Sequence, residues 1–357
     1  MKVSILGNGL TSLALAKSLV NQGIKVDIFS EQKIKNNNKM QTLGISKSNI
    51  EFFNKNILDI KKFLWNIHKI EIFSENLENE KILNFKKNNQ YLFSIIRNFD
   101  LYNYLSFNLD KNKLVKFRKK IDYNDSLKNN YDLIFNCDHN HPISKKFFYN
   151  KIKKNYNSFA YVSTFKHEKL ADNYTATQIF TKKGPLAFLP ISPLETSVVY
   201  SVVGKKDINF DQLIRKHNAK YKISKINKFI KFELISSSLR SYYHENIIAF
   251  GDLLHKVHPL DGQGFNMTIR DIKKIIELIK FRQKLGLNLD SSICIDFERD
   301  SKNKNYLFLN GIDFIHEFFN LENKFNTNSF SKSLKFLGKN KIINNFFTEF
   351  ADNGIII

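Results

Sequence analysis

The stretch from Ala249 to Asp271, AFGDLLHKVHPLDGQGFNMTIRD, constrains this chain more than any other. An apolar strand ends in Ile247, Ile248, Ala249 and Phe250, breaks at Gly251-Asp252, and the chain passes through Pro259 into Gly262 and Gly264. Ile272, Ile275, Ile276 and Ile279 then recur at helical spacing, which predicts a helix with one apolar face turned inward. A strand, a tight loop and a helix N-terminus therefore follow in order. Such a terminus offers unpaired backbone N–H groups and the positive dipole end to an anionic or carbonyl-rich ligand, and the glycines admit it close to the backbone. Asp252, at the strand's end, is placed to accept hydrogen bonds from a sugar-like hydroxyl.

The N-terminus repeats this grammar. Lys2 to Leu6 reads as an apolar strand, Gly7-Asn8-Gly9-Leu10-Thr11-Ser12 as a turn, and Leu13, Ala14, Ala16, Leu19 and Val20 as a helix; a second strand runs from Lys25 to Phe29. Glu31 follows Gly9 by 22 positions. This is the order of a dinucleotide-binding βαβ unit, with a tight turn, a helix start for the pyrophosphate and an acid for a ribose hydroxyl. The third glycine of that pattern is replaced by Ser12, still small enough for the helix to sit near the strand.

Length and composition narrow the class. With 357 residues, 42% apolar and 25% charged, the chain has material for two globular domains. The net charge of +22 is nearly all lysine, spread evenly, and reads as a solvated surface rather than a nucleic-acid face; attraction to anionic lipid stays open. Cys137 and Cys294 give neither a disulfide framework nor metal spacing, which fits a reducing cytosol. The start of the chain carries no secretory pattern, and no apolar run approaches the roughly 18 residues of a spanning helix.

Gly251, Asp252, His255, Pro259, Gly262, Gln263, Gly264, Asn266 and Asp271 together resemble the second flavin-binding motif of the FAD-dependent aromatic monooxygenases, and within them most nearly the ubiquinone-biosynthesis hydroxylases. The resemblance implies an α/β protein of p-hydroxybenzoate-hydroxylase-like fold: a Rossmann-like FAD-binding domain, an inserted β-sheet substrate domain and a helical C-terminus. On that division residues 1–68, 91–150 and 242–295 form the discontinuous FAD domain, 69–90 and 151–241 the substrate sheet, and 296–357 the C-terminal helices. FAD is then held by Gly7, Gly9, Leu10, Ser12, Glu31, Gln41, Asp252, Pro259, Gly262, Gln263, Gly264, Phe265 and Asn266. Gln41 stands where the family commonly has an arginine, so it brings no charge to the pyrophosphate.

Further along, alternation from Lys69 to Phe73 suggests the first excursion into the second sheet, and Tyr91 to Leu109 resembles the return, where Arg97 and Asn98 either approach the flavin or serve as an exposed cation and a helix cap. In Tyr131 to Asp138 the family has an Asp-Gly motif linked to FAD and NAD(P)H; Asp138 is kept, while His139 replaces the glycine and is expected to restrict φ > 0 and crowd the cofactor. His139 and His141 lack a second ligand cluster, so no metal site is read here. Ser158 to Val203 is strand-rich, and Gln178, Phe180 and Gly184 to Pro190 resemble the ubiquinone hydroxylases in particular. The substrate pocket is accordingly assigned to Gln178, Leu186, Phe188, Leu189 and Arg240; His255 and Gln178 are the only candidates for a catalytic role. Toward the C-terminus Phe308, Ile312, Ile315 and Phe319 form one apolar stripe and Ile343, Phe346, Phe347 and Phe350 another, for which packing against the FAD domain is the first reading; lysines 332, 335, 339 and 341 beside them would also suit a lipid interface.

The resemblance implies hydroxylation of the aromatic ring of a polyprenylated phenol in ubiquinone biosynthesis, through a flavin hydroperoxide, with O2 and NAD(P)H as electron donor. It also implies a cytoplasmic protein at the inner membrane surface, a place in a ubiquinone-biosynthesis complex, and no nucleic-acid partner. A hydroxylase of a small soluble aromatic acid is the alternative, with Arg240 as the pocket cation; a degenerate, non-catalytic flavoprotein is another, motivated by Ser12 and His139. A halogenase is excluded because its motif is rich in tryptophan and Trp65 is the only one present.

Overall fold

The computed structural model describes residues 1–30, 40–86, 90–119, 130–204, 208–257, 263–324 and 329–337, with the single positions 340, 349 and 352. Glu31, His258, Pro259 and Gly262 lie outside them, as do lysines 339 and 341 and the second C-terminal stripe.

In chain order the first part contains β1 (Lys2–Leu6), α1 (Leu10–Val20), β2 (Lys25–Ser30), β3 (Thr42–Ser46), α2 (Lys47–Asn56), β4 (Trp65–Ile67), β5 (Lys69–Ser74), β6 (Glu80–Lys86) and β7 (Phe93–Arg97). There follow α3 (Asn98–Asp110), β8 (Val115–Lys119), β9 (Leu133–Asn136), α4 (Pro142–Phe147), β10 (Lys151–His167), β11 (Thr175–Thr181), β12 (Gly184–Pro190) and β13 (Glu195–Val203). The rest comprises α5 (Phe210–His217), β14 (Ile223–Ile226), β15 (Ile230–Leu239), β16 (Tyr243–His244), β17 (Ile247–Ala249), β18 (His255–Lys256), α6 (Gln263–Lys284), α7 (Ser291–Lys324) and α8 (Ser329–Leu337).

Three sheets result. The first, in the order β16-β17-β9-β1-β2-β8, is parallel except at β16. Its central strands are buried on both faces, so they read as continuous apolar runs: Val3, Ile5 and Leu6 of β1 and Leu133, Ile134 and Phe135 of β9 are fully covered. α1 lies against β2 and buries Leu13, Ala14, Leu15, Ala16 and Leu19, and α6 adds Ile269, Ile272, Ile275, Ile276 and Ile279 to the same core. The isoleucine spacing read from the sequence is thus the inner face of α6.

The second sheet runs β18-β15-β10-β13-β12-β11-β5-β6, with β14 on β10; the third is the small antiparallel set β3-β7-β4. Lys69 to Ser74 does enter the large sheet, as β5 pairing parallel to β11. Alternation gives this sheet two distinct faces. On one, Tyr161, Phe165, Ile179, Leu186, Phe188, Val198 and Tyr200 pack with Phe210 and Ile214 of α5 and with Tyr221. On the other, Ala176 and Leu189 meet Trp65, Ile67, Phe93 and Ile95 of the small sheet.

This corrects part of the pocket assignment. Leu186 and Phe188 project beneath α5 into a closed core, because residues two apart share a face; Leu189 lies on the opposite face, toward the small sheet. The three side chains cannot line one channel. Arg240 is exposed just beyond β15, where its backbone N–H donates to Asn150 O at 3.0 Å, and so it lies outside any buried pocket. In the C-terminal stripe, Phe308 and Ile312 of α7 are buried with Val257 and Met267, while the side chains of Ile315 and Phe319 lie outside the described set. Among the described residues no helix is long and apolar enough to cross a membrane.

Candidate cofactor site

The carboxyl ends of β1, β9 and β17 come together on one edge of the parallel sheet, and the chain leaves β1 toward β2 on one side while β9 joins on the other. A crevice at such a switch point is where open α/β sheets bind ligands. Gly7 has φ +100° and donates its N–H to Phe29 O at 2.8 Å; a Cβ there would stand 3.4 Å from Asp138 Cβ. Gly9, the N-cap of α1, faces open space: an added Cβ would meet nothing within 4 Å. Leu10 begins the helix with its side chain against the core, and Ser12 is fully buried beside the Cys137 thiol, which burial raises to about 12. Ser12 thus takes the third glycine's place without displacing α1.

The two glycine turns, far apart in sequence, are locked together. Gly251 has φ +63°, and a Cβ built on it would come within 2.6 Å of Thr11 Cγ2. Only a glycine satisfies both the left-handed backbone and this approach. Phe250 N–H donates to Asn136 O at 2.9 Å, continuing the β17–β9 register. Asp252 follows and is exposed.

The loop after β9 departs from expectation. His139 is exposed and is not among the described residues with positive φ, so replacing glycine there imposes no strain and brings no bulk inward. The turn is wired by side chains: Asp138 N–H donates to Asn136 Oδ1 at 3.1 Å, Ser144 Oγ to Asp138 O at 2.6 Å, and Asn140 N–H to Asp138 Oδ1 at 2.9 Å. His141 is buried, and its Nδ1 accepts from Ile143 N–H, capping α4.

At the second helix start, Gln263 and Gly264 open α6, and a Cβ on Gly264 would again meet nothing within 4 Å. Phe265 is buried, its ring tilted on Phe53 at 6.4 Å. Asn266 corrects another expectation. Its Oδ1 accepts from Ser46 N–H and Asn49 Nδ2, both at 2.9 Å, while its Nδ2 donates to Gly44 O at 2.9 Å. Its side chain therefore clamps β3 and α2 to α6 instead of reaching a cofactor. Ser46 and Asn49 carried no signal in the sequence, since partners over 200 positions away complete their bonds.

His255, completely enclosed, places Nε2 2.5 Å from Asp271 Oδ2, and Asp271 Oδ1 accepts from Asn305 Nδ2 at 3.1 Å. Burial, the largest influence, favours the neutral imidazole, but the Asp271 carboxylate outweighs it and the His255 pKa is raised. This chain of contacts ties β18 to α6 and α7. It gives His255 a holding role within the protein.

The small sheet forms the second wall. Gln41 O accepts from Asn98 N–H at 3.0 Å, and Thr42 Oγ1 donates to Ser197 Oγ at 3.0 Å. Arg97 reaches Glu195 with Nη2–Oε2 at 2.8 Å, so it is an ion-paired, half-buried cation rather than a lone exposed one. Gln178 sits partly exposed on β11, paired with Ala187 on the face toward the small sheet. Lys335 is drawn to Glu80 at 2.5 Å, which engages one lysine of the suggested lipid face.

Two open glycines at two helix starts, an exposed acid at Asp252 and a sheet's switch point make a cradle that suits a flavin dinucleotide. Solved structures similar to this fold include FAD-dependent aromatic monooxygenases. The p-nitrophenol 4-monooxygenase PnpA of Pseudomonas putida superposes with a TM-score of 0.75 at 14% identity, covering 99% of this chain and 98% of its own. HpxO of Klebsiella pneumoniae, solved with FAD and uric acid, gives 0.75 at 13%, covering 99% and 97%.

In sequence the relatives are narrower and include ubiquinone hydroxylases. The ubiquinone biosynthesis monooxygenase COQ6 of Schizosaccharomyces pombe is 25% identical over 250 residues, 56% of this chain and 52% of the relative. The ubiquinone hydroxylase UbiL of Rhodospirillum rubrum is 24% identical over 143 residues, 37% and 33% of the two chains. The matched region spans about half the length of the first of these relatives, and no family model matches the sequence.

Proposed function

We propose that this chain is an FAD-dependent monooxygenase that hydroxylates the aromatic ring of a polyprenylated phenol in ubiquinone biosynthesis. The observation that carries the reading is the close approach of Gly251 to Thr11, which sets the two glycine turns against each other. Gly7, Gly9 and Leu10 would hold the pyrophosphate at the start of α1, Asp252 a hydroxyl of the linking chain, and Gln263, Gly264 and Phe265 the ring system at the start of α6. When bound, FAD supplies the redox chemistry with O2 that the side chains lack. The protein's part is to bind, orient and exclude water, and helix N–H groups at α6 favour negative charge on whatever lies there.

The division into an FAD domain and a substrate sheet with C-terminal helices accords with this reading. The face of the large sheet carrying Gln178, Ala187 and Leu189 is the candidate wall of the substrate pocket. NAD(P)H as donor, a biosynthetic complex and a peripheral position at the inner membrane complete the proposal. The soluble aromatic-acid alternative is weakened, because Arg240 is exposed just beyond the end of β15. The non-catalytic alternative loses His139 and Ser12 as grounds, since neither disturbs the cradle.

The test is direct. Purified protein should be yellow and should oxidise NAD(P)H with hydroxylation of a prenylated phenol faster than of a tail-less benzoate, read by mass spectrometry of the product. Colourless protein that takes up no added FAD refutes the cofactor; a preference for the benzoate refutes the substrate.

A further inference from the structure

Arg270 stands two helical turns into α6, and its aliphatic part and guanidinium lie over the Phe308 ring of α7, with Cζ 4.4 Å from the centroid. Among the described residues none forms an ion pair with it, and its Nε–H is sealed from solvent without an acceptor. Burial, the dominant influence, brings the guanidinium down to about 10, opposed by Asp271 and Asp352; it is still a cation at neutral pH. Arg270 is half-buried, and its guanidinium gives up part of its hydration where it covers Phe308. Among the described residues its one polar side-chain contact is Nη2 to Gln263 Oε1 at 3.2 Å.

That contact has a chemical consequence. A guanidinium can only donate, so the atom of Gln263 that faces it must be the carbonyl oxygen, and the side-chain amide cannot turn over without losing the bond. Gln263 is then left with its NH2 end for any other partner. It opens α6, whose first backbone N–H groups are donors too.

We propose that Arg270 is a positioning residue: by holding Gln263 through its oxygen, it confines that amide to the role of donor at the start of α6, where the acceptor atoms of the flavin are to be bound. The inference rests on the flavin reading above and deepens it by naming what sets the hydrogen-bonding sense of the ring site. A donor-only site favours the electron-rich, reduced cofactor over the oxidised one.

The full-length protein is stripped of FAD and titrated with it, and the midpoint potential of the reloaded protein is measured. R270M keeps the packing on Phe308 and should raise the FAD dissociation constant about tenfold, with a more negative potential, because the amide is freed to present its oxygen. Q263A should do the same. The double variant R270M/Q263A should be no worse than Q263A, since Arg270 acts through Gln263. Q263E, which satisfies Arg270 but carries no donor, should match Q263A. Should R270M melt before it can be measured, R270K enters the same cycle; it keeps the charge but not the fixed fork, and the same non-additivity is expected with a smaller step. Unchanged affinity and potential in the Arg270 variant, or effects that multiply in the double variant, overturn the inference alone. A wild type that takes up no FAD overturns the flavin reading and this inference with it.

Discussion

Gly251 shows how much one missing methyl can hold. A side chain there must adopt φ +63° and also push into Thr11, whose Cγ2 would be 2.6 Å away. Gly251→Ala is therefore expected to lose about 2 kcal/mol or more and to lower FAD content. Thr11→Ala removes the opposing methyl and should restore part of that loss, leaving the backbone term; thermal melts of the single and double variants measure both. If the double variant recovers nothing, the contact is not the source of the cost. Phe188 and Leu189 separate a second pair of roles. Phe188 is buried against Phe165 and Tyr221, so Phe188→Ser should cost about 3 kcal/mol of stability with any loss of turnover following from unfolding. Leu189→Ser, on the other face, should leave the melting point closer to wild type while slowing turnover of a prenylated phenol. The run PLAFLP could not reveal this division, because both faces of the strand are covered and both therefore read as apolar. Gly7 and Gly251 were legible for the opposite reason: a left-handed turn leaves few residue types to choose from.

At the scale of elements, the legible features were those that repeat locally. The isoleucines of α6 and the apolar runs of β1 and β9 appear where periodicity and continuity place them. The bonds that set one element against another were not visible, since Asn266 reads as a motif residue while its amide is spent on Gly44, Ser46 and Asn49. Asn266→Ala would strand a backbone N–H of β3 and a carbonyl oxygen, and about 2 to 3 kcal/mol should be lost. Hydrogen exchange should show β3 opening before β1. Equal protection of the two strands would mean that β3 is held by its pairing with β7 alone. The His255–Asp271 contact gives a pH signature. With the His255 pKa raised in the folded state, its contribution is fully present below the unfolded value near 6.5 and is lost as pH rises through the folded value. Wild type should therefore lose stability relative to Asp271→Asn as pH is raised from about 6 to 9, followed by denaturant midpoints. A constant gap between the two proteins across that range would remove the imidazolium from the account.

Across the whole molecule, the cofactor cradle and the candidate substrate wall belong to different sheets, and the small sheet joins them beside the pairing of β18 with β15. It reaches the large sheet through apolar packing around Ile95 and Ala176, through Thr42 to Ser197, and through Arg97 to Glu195. Burial alone would raise the Glu195 carboxyl; Arg97 more than offsets this and holds it below the usual range. The Arg97 side chain remains 30% exposed, so its loss is discounted for solvent, and Arg97→Ala should cost about 1 kcal/mol overall. Its functional effect should be larger than its thermal one. Gly7, Gly9, Gly251 and Gly264 are untouched by the change, so FAD content should stay at the wild-type level, while the wall carrying Gln178 and Leu189 loses a tie to the small sheet. The expected outcome is a raised KM for the prenylated phenol and faster futile consumption of NAD(P)H, because water gains access to a site that is meant to exclude it. Flavin absorbance, substrate kinetics and the ratio of product formed to donor consumed decide it. Flavin lost in step with turnover would show that the cradle itself depends on this ion pair, and the two sheets would then have to be treated as a single binding unit.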